Sequence, residues 1–305
     1  MLALVRFAMR GRSQAALVAA TAAVLSVLPF FGVLAALVSA AVIALATLRN
    51  GLTEGLFVAA LAGLGGGLLA WLALTTPVPA IGFFVLFWGP VWLLAVVLGW
   101  SRSLALAIEV AAVLALVALA LVVPLAGDLR DLWREVLEPL RLAFIDAEVM
   151  TAAEGERAVS QLATWMPGLL TATIYLMVVC SLLVARWWQS LLDRPGAFGA
   201  EFRELRFHRL FILAAIAAYV LVVVTDAFWP VAMLLVLGLL LMFQGLAVIH
   251  SVTQARQTQV GWLIALYLFF VIGIPLPQMI IAGLGLADAW ADFRRRLGGQ
   301  GKNGS

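Results

Sequence analysis

Long apolar stretches, broken by single arginines, tryptophans and prolines, run along almost the whole chain. A helix needs about 20 mostly apolar residues to cross about 30 Å of hydrocarbon. Six segments meet that length directly: Leu52–Leu74, Ala80–Trp100, Ser103–Ala126, Met166–Arg186, Leu210–Phe228 and Val231–His250. They are continuous runs, not the short alternating strands of a barrel, so helices are the expected spanning form. Gln14–Leu48 is too long for one helix and carries Pro29 at its middle, with Arg12 and Arg49 at its flanks. The C-terminal run repeats that layout with Arg256, Pro275 and Arg294. Proline donates no backbone hydrogen bond, so both runs read as helical hairpins that turn at the proline.

Ten spans with both termini on one side follow from this pattern, and the basic residues test the count. An N-terminus inside places Arg6, Arg10, Arg12, Arg49, Arg102, Arg186, Arg194, Arg203, Arg206, Arg209, Arg256, Arg294, Arg295, Arg296 and Lys302 on the inner face. Only Arg130, Arg134, Arg141 and Arg157 fall outside. Reading the last run as a single span moves four of the inner cations out and weakens the positive-inside bias, so ten spans fit better than nine. Trp71, Trp100, Trp165, Trp187, Trp188, Trp229 and Trp290 fall near expected interfaces, whereas Trp88 and Trp92 fall mid-membrane. The first apolar run continues into the second without a polar break and reads as a retained anchor.

Two connections are long. In residues 127–165, expected on the outer face, Leu129, Leu132, Trp133, Val136, Leu137, Leu140, Phe144 and Ile145 recur at helical spacing among charged positions. That is an amphipathic helix, with Pro139 inside it. Thr151 and Glu154 have capping-box spacing and start a second short helix toward Trp165. The segment is either a surface helix sealing the bundle or a lid over an outward-facing pocket. The inner loop 188–209 combines an Arg194-Pro195-Gly196 turn with Arg203, Arg206 and Arg209, which suit anionic headgroups.

Composition sharpens this picture. The chain is 65% hydrophobic and 11% charged, and 19 basic and 16 acidic residues cannot cover a soluble domain of 305 residues. The fold class expected is all-α: one polytopic transmembrane bundle over 1–305, about ten spans, with an amphipathic helical segment on the outer face. The net charge of +3 is set by topology, so no nucleic-acid partner is implied. Cys180 stands alone in an apolar run, and two distant histidines leave no zinc site or nucleophile–base pair. No enzyme, metal or cofactor is expected.

Ionisable groups inside a span cost about 2.5–3.5 kcal/mol at its centre on insertion scales, so each needs a reason. Glu109 is the clearest case, and Asp226 and Asp288 lie nearer span ends. Gln244 and Gln278 need hydrogen-bond partners. Glu109, Trp88, Trp92, Gln244, Gln278 and Asp226 are therefore the expected ligand-binding residues, each with a structural hydrogen bond as the alternative. Small residues Ala15, Ala19 and Ala23 form a stripe that fits internal packing or a docking face for another membrane subunit. Gly63, Gly65, Gly66 and Gly67 form a second stripe, which reads as internal packing.

Three strings resemble a known family. They are Leu48-Arg49-Asn50-Gly51 with Glu54-Gly55, the run Gln244-Gly245 through His250, and the ending with Asp288, Trp290, Asp292, Arg294 and Arg295. Together they resemble the YybS-like family of bacterial membrane proteins (domain of unknown function 2232) over nearly the whole chain. The membrane core is also distantly similar to the substrate-binding S components of energy-coupling-factor transporters. In those, an Ala-x-x-x-Ala face docks a coupling subunit, a pattern that Ala15, Ala19 and Ala23 match. The resemblance implies a bacterial inner membrane, both termini cytoplasmic, and small-molecule uptake. The functional expectation is binding or translocation of an unknown small molecule without an ATPase of its own, the alternative being a membrane scaffold or assembly factor. Expected partners are the bilayer and a coupling subunit or other membrane protein.

Overall fold

The computed structural model describes residues 2–28, 31–126, 128–225, 227–255, 260–272 and 276–291. Every regular element among them is helical: α1 (Leu2–Ala8), α2 (Arg12–Leu25), α3 (Gly32–Asn50), α4 (Leu52–Leu74), α5 (Val78–Phe83), a π turn (Phe84–Trp88), α6 (Gly89–Ser101), α7 (Leu104–Ala126), α8 (Leu129–Asp146), α9 (Ala152–Asp193), α10 (Ala197–Arg203), α11 (Arg209–Val224), α12 (Phe228–Ala255), α13 (Val260–Ile272) and α14 (Leu276–Ala291).

Six helices are long and apolar enough to cross a membrane: Gly32–Asn50, Leu52–Leu72, Val78–Ser101, Leu104–Leu125, Ala152–Asp193 and Phe228–Ala255. Four apolar helices are shorter: Arg12–Leu25, Arg209–Val224, Gly261–Phe270 and Leu276–Ala291. The expected span Leu210–Phe228 is one of these. α11 stops at Val224 because Thr225 turns extended, leaving 16 residues that rise only about 24 Å. The first expected hairpin breaks between α2 and α3; the expected turn of the second falls on residues 273–275, outside the described residues. Pro29 and Pro275 themselves lie outside the described residues.

The outer segment differs from expectation in one respect. The capping box forms, with Glu154 Oε2 accepting from both the backbone and the hydroxyl of Thr151 at 2.8 Å. The helix it starts does not end near Trp165, however; it continues as α9 for 42 residues. Pro167 removes only one donor, and no stop signal intervenes before Asp193. At about 63 Å, α9 is twice the length a crossing needs.

Two compact units result. One holds Met1–Ala111 and Ile174–Leu205, the other Ala112–Thr173 and Arg206–Ser305. Each is built around a helix buried on all sides, which a uniformly apolar helix requires. In the first unit every residue of α3 from Ser39 to Thr47 is buried. In the second the same holds for α12 from Leu240 to Val248.

Within the first unit α2, α4 and α6 pack on α3. Ala19 is fully buried, Ala15 nearly so and Ala23 half-buried, so the alanine stripe is occupied by the chain itself. The glycine stripe packs only in part: a Cβ at Gly63 would lie 3.7 Å from Phe84 and Trp88 and one at Gly67 3.9 Å from Ala80, whereas at Gly65 or Gly66 it would meet only open space. The close approaches lie elsewhere. A Cβ at Gly55 would strike the Thr47 side chain. In the second unit, a Cβ at Gly168 would strike the Ala232 backbone at 2.9 Å.

The π turn has a local cause. Pro90 has no N–H, and in a regular helix its ring would crowd the carbonyl of Leu86. The helix widens instead, so that Gly89 N–H donates to the Phe84 carbonyl five residues back. Trp88 at the end of that turn is buried, and its indole donates to Ser39 Oγ at 3.0 Å. Ser39 in turn donates to the Ala19 carbonyl at 2.7 Å, linking α2, α3 and the turn.

Candidate functional site

A polar cavity in the second unit grows out of the amphipathic segment. Asp128 caps α8, its carboxylate accepting from Arg130 N–H at 2.9 Å. α8 carries the ion pairs Asp131–Arg134 and Glu138–Arg141. The start of α9 lies against it at Gly155, where a Cβ would meet Arg141 at 3.0 Å. From there Glu156, Arg157, Ser160, Gln161, Thr164 and Trp165 fall on one face of α9 at helical spacing. They face Arg130 on one side and Val222, Thr225, Ala227 and Val231 on the other. The cleft is open on one side and holds about 730 Å³, within the range of small-molecule sites.

Among the described lining residues are two guanidiniums and one carboxylate; Asp226, between Thr225 and Ala227 in the chain, lies outside the described residues. Ser160, Gln161, Thr164 and Thr225 add neutral donors and acceptors, and the Trp165 ring adds an apolar wall. Guanidiniums such as these can hold an anion through charge-assisted hydrogen bonds.

None of the described residues expected to bind ligand lines this cavity. Glu109 is 8% exposed on α7, within the first unit, and close enough to the buried Tyr175 hydroxyl to interact electrostatically. Trp88 is tied to Ser39, and Trp92 donates to the Leu52 carbonyl at 3.0 Å. Gln244 is engaged at both ends of its amide: Oε1 accepts from Phe207 N–H at 3.1 Å and Nε2 donates to the Gly285 carbonyl at 3.0 Å. Gln278 donates to the Phe270 carbonyl at 2.8 Å. Asp226 lies outside the described residues. Arg130, Arg157, Ser160, Gln161 and Thr164 were not singled out in sequence, although the lid reading of 127–165 pointed at their segment.

A family model described as a predicted membrane protein, DUF2232, matches residues 15–289. The chain belongs to this family. No curated protein and no solved structure matches it. The DUF2232 chain is a membrane protein with several transmembrane helices.

The three strings that carried the resemblance are helix crossings in this DUF2232 protein. Gly51 adopts φ 97° and joins α3 to α4 as a single residue, a left-handed conformation that glycine tolerates best. On either side, Arg49 pairs with Asp193 at 3.0 Å and Glu54 with Arg12 at 2.6 Å. The second and third strings meet each other. A Cβ on Gly245 would strike the Ile281 carbonyl, and one on Gly285 the Leu241 carbonyl. Beside that crossing Asp288 is buried and Trp290 is exposed. His250 Nδ1 donates to the Leu246 carbonyl at 2.9 Å, which leaves Nε2 to accept from Tyr267 at 3.3 Å. Asp292, Arg294 and Arg295 lie outside the described residues.

Proposed function

We infer that this protein binds a small anionic solute from the outer side of a bacterial inner membrane and serves its uptake. The cavity on α9, with Arg130 and Arg157 across from Thr225, carries the reading. It has the size of a solute site, and among its described lining residues two guanidiniums outnumber one carboxylate. The sequence has no nucleotide-binding loop, so energy comes from a partner subunit or an ion gradient, as in the S components that the membrane core resembles.

In this reading the four shorter apolar helices complete ten crossings, and both termini are cytoplasmic. Support comes from the arginine distribution along the sequence. α8 lies in the bilayer surface: Leu132, Val136, Leu140 and Phe144 form an exposed apolar stripe, Val136 at 63%. A scaffold working through the alanine face has less support, since Ala15 and Ala19 are buried in their own unit.

The test is titration of the nanodisc-embedded protein with succinate, citrate and inorganic phosphate. Binding of at least one is expected, weakened about ten- to hundredfold in the double variant Arg130→Ala/Arg157→Ala, with the melting midpoint unchanged. Absence of binding by all three anions, or binding indifferent to the double variant, overturns the reading.

A further inference from the structure

A second cavity, in the first unit, has a different character. It holds about 400 Å³ between the last turns of α3 and α6, the end of α9 and the start of α10. Leu48, Leu98 and Gly99 form its apolar wall, and Arg102, Arg186 and Arg194 bring three guanidiniums to it. Two carboxylates also reach it, and both are engaged. Asp193 is held by Arg49 at 3.0 Å, and Glu201 by Arg186 at 2.8 Å. Among the described residues Arg102 and Arg194 have no acidic partner. Burial pushes the Glu201 carboxyl above its ordinary value, against the opposing pull of Arg186.

The local backbone turns to present these cations. Arg102 ends α6 in the left-handed region at φ 54°. Ser190 donates to the Arg194 carbonyl at 3.1 Å and accepts from Phe198 N–H at 3.2 Å, fastening the Arg194-Pro195-Gly196 turn onto α9.

The aromatic residues fix the depth. Trp100, 86% exposed, follows Gly99, and the exposed Trp187 follows Arg186. Exposed indoles at the ends of spanning helices sit at the headgroup level of a bilayer. An apolar wall, a cationic mouth and that depth match one kind of ligand. We propose that the Arg102–Arg186–Arg194 cavity binds a phosphate group, supplied by the headgroup of an anionic phospholipid whose acyl chains run down the lipid-facing side of α6. The site shares no residue with the outer cavity, so binding that is lost in an Arg102/Arg194 variant and kept in an Arg130/Arg157 variant belongs to it alone.

Native mass spectrometry of the full chain with phosphatidylglycerol and phosphatidylcholine tests the proposal, with glycerol 3-phosphate as a soluble competitor. Phosphatidylglycerol should be retained over phosphatidylcholine. The Arg102→Gln/Arg194→Gln variant should lose about ten- to hundredfold in that affinity at an unchanged melting midpoint. Arg102→Lys/Arg194→Lys should keep part of it, since charge survives without the bidentate fork. Binding of glycerol 3-phosphate without retention of phosphatidylglycerol identifies a soluble phosphate as the source. Equal retention of the two lipids with no glycerol 3-phosphate binding overturns the proposal, as does phosphatidylglycerol retention unaffected by the glutamine variant.

Discussion

Gln244 and Glu109 illustrate how differently two polar residues within apolar helices are explained. Both are costly on their own in a membrane, and the sequence marks both for that reason. Gln244 is accounted for by two backbone groups, one 37 residues before it and the other 41 residues after it. Those separations are why a ligand and a structural partner could not be distinguished in sequence: the helical pattern places the amide on a face, but not what faces it. Gln244→Leu keeps the volume and removes the acceptor from a buried N–H of Phe207, which lies in an irregular connection without a helical partner of its own. A loss of about 1–3 kcal/mol is expected, read from the unfolding midpoint in a denaturing-detergent titration. An unchanged midpoint would show that the clip does no structural work and return Gln244 to the ligand-binding candidates.

Among the elements, crossings between helices were only half legible. Without a hydrophobic drive between helices in lipid, close approach through small residues and van der Waals contact has to hold them together. The sequence shows where small residues are, and Gly63–Gly67 looked the richest crossing by that measure. α4 instead turns much of that cluster to open space, whereas isolated Gly245 and Gly285 bring α12 and α14 into backbone contact. Density of glycine was the wrong signal; what mattered was whether the glycine lay on the face that meets another helix, as Gly245 and Gly285 do and Gly238 does not. Gly245→Ala is expected to push α14 from α12 and cost about 1–3 kcal/mol. Gly238→Ala on the same α12, where nothing lies within 4 Å of the added carbon, should instead be neutral or gain up to about 1 kcal/mol in helix propensity. Equal effects in the two variants would refute the crossing as the cause. The amphipathic α8 was the most legible element, because its period and its capping residues agree with one another before any tertiary contact is known.

At the scale of the whole molecule, the membrane class was evident from composition and pattern, while the number of crossings depends on helices near the limiting length. Residue counts do not resolve a 16-residue helix such as α11 or α14, since tilt, flanking anchors and local thinning all offset a shortfall of a few ångströms. The arginine distribution discriminates better, and it gives a definite expectation. In a Cys180→Ala background, Gly299→Cys should react with a membrane-impermeant thiol reagent only when the cytoplasmic face is opened. Labelling of intact spheroplasts would remove one crossing and put the last arginines outside. The solute cavity was legible only as a segment, because its walls come from stretches some 60 residues or more apart that no local pattern joins. The π turn at Phe84–Trp88 bears on how this chain is compared with its relatives. It takes up one residue more than a regular helix of the same height, so members of the family that lack it should align with a single-residue gap at that point. An ungapped alignment would set every position from Gly89 to Ser101 out of phase by about 100°, assigning lipid-facing residues to the interior and interior residues to lipid.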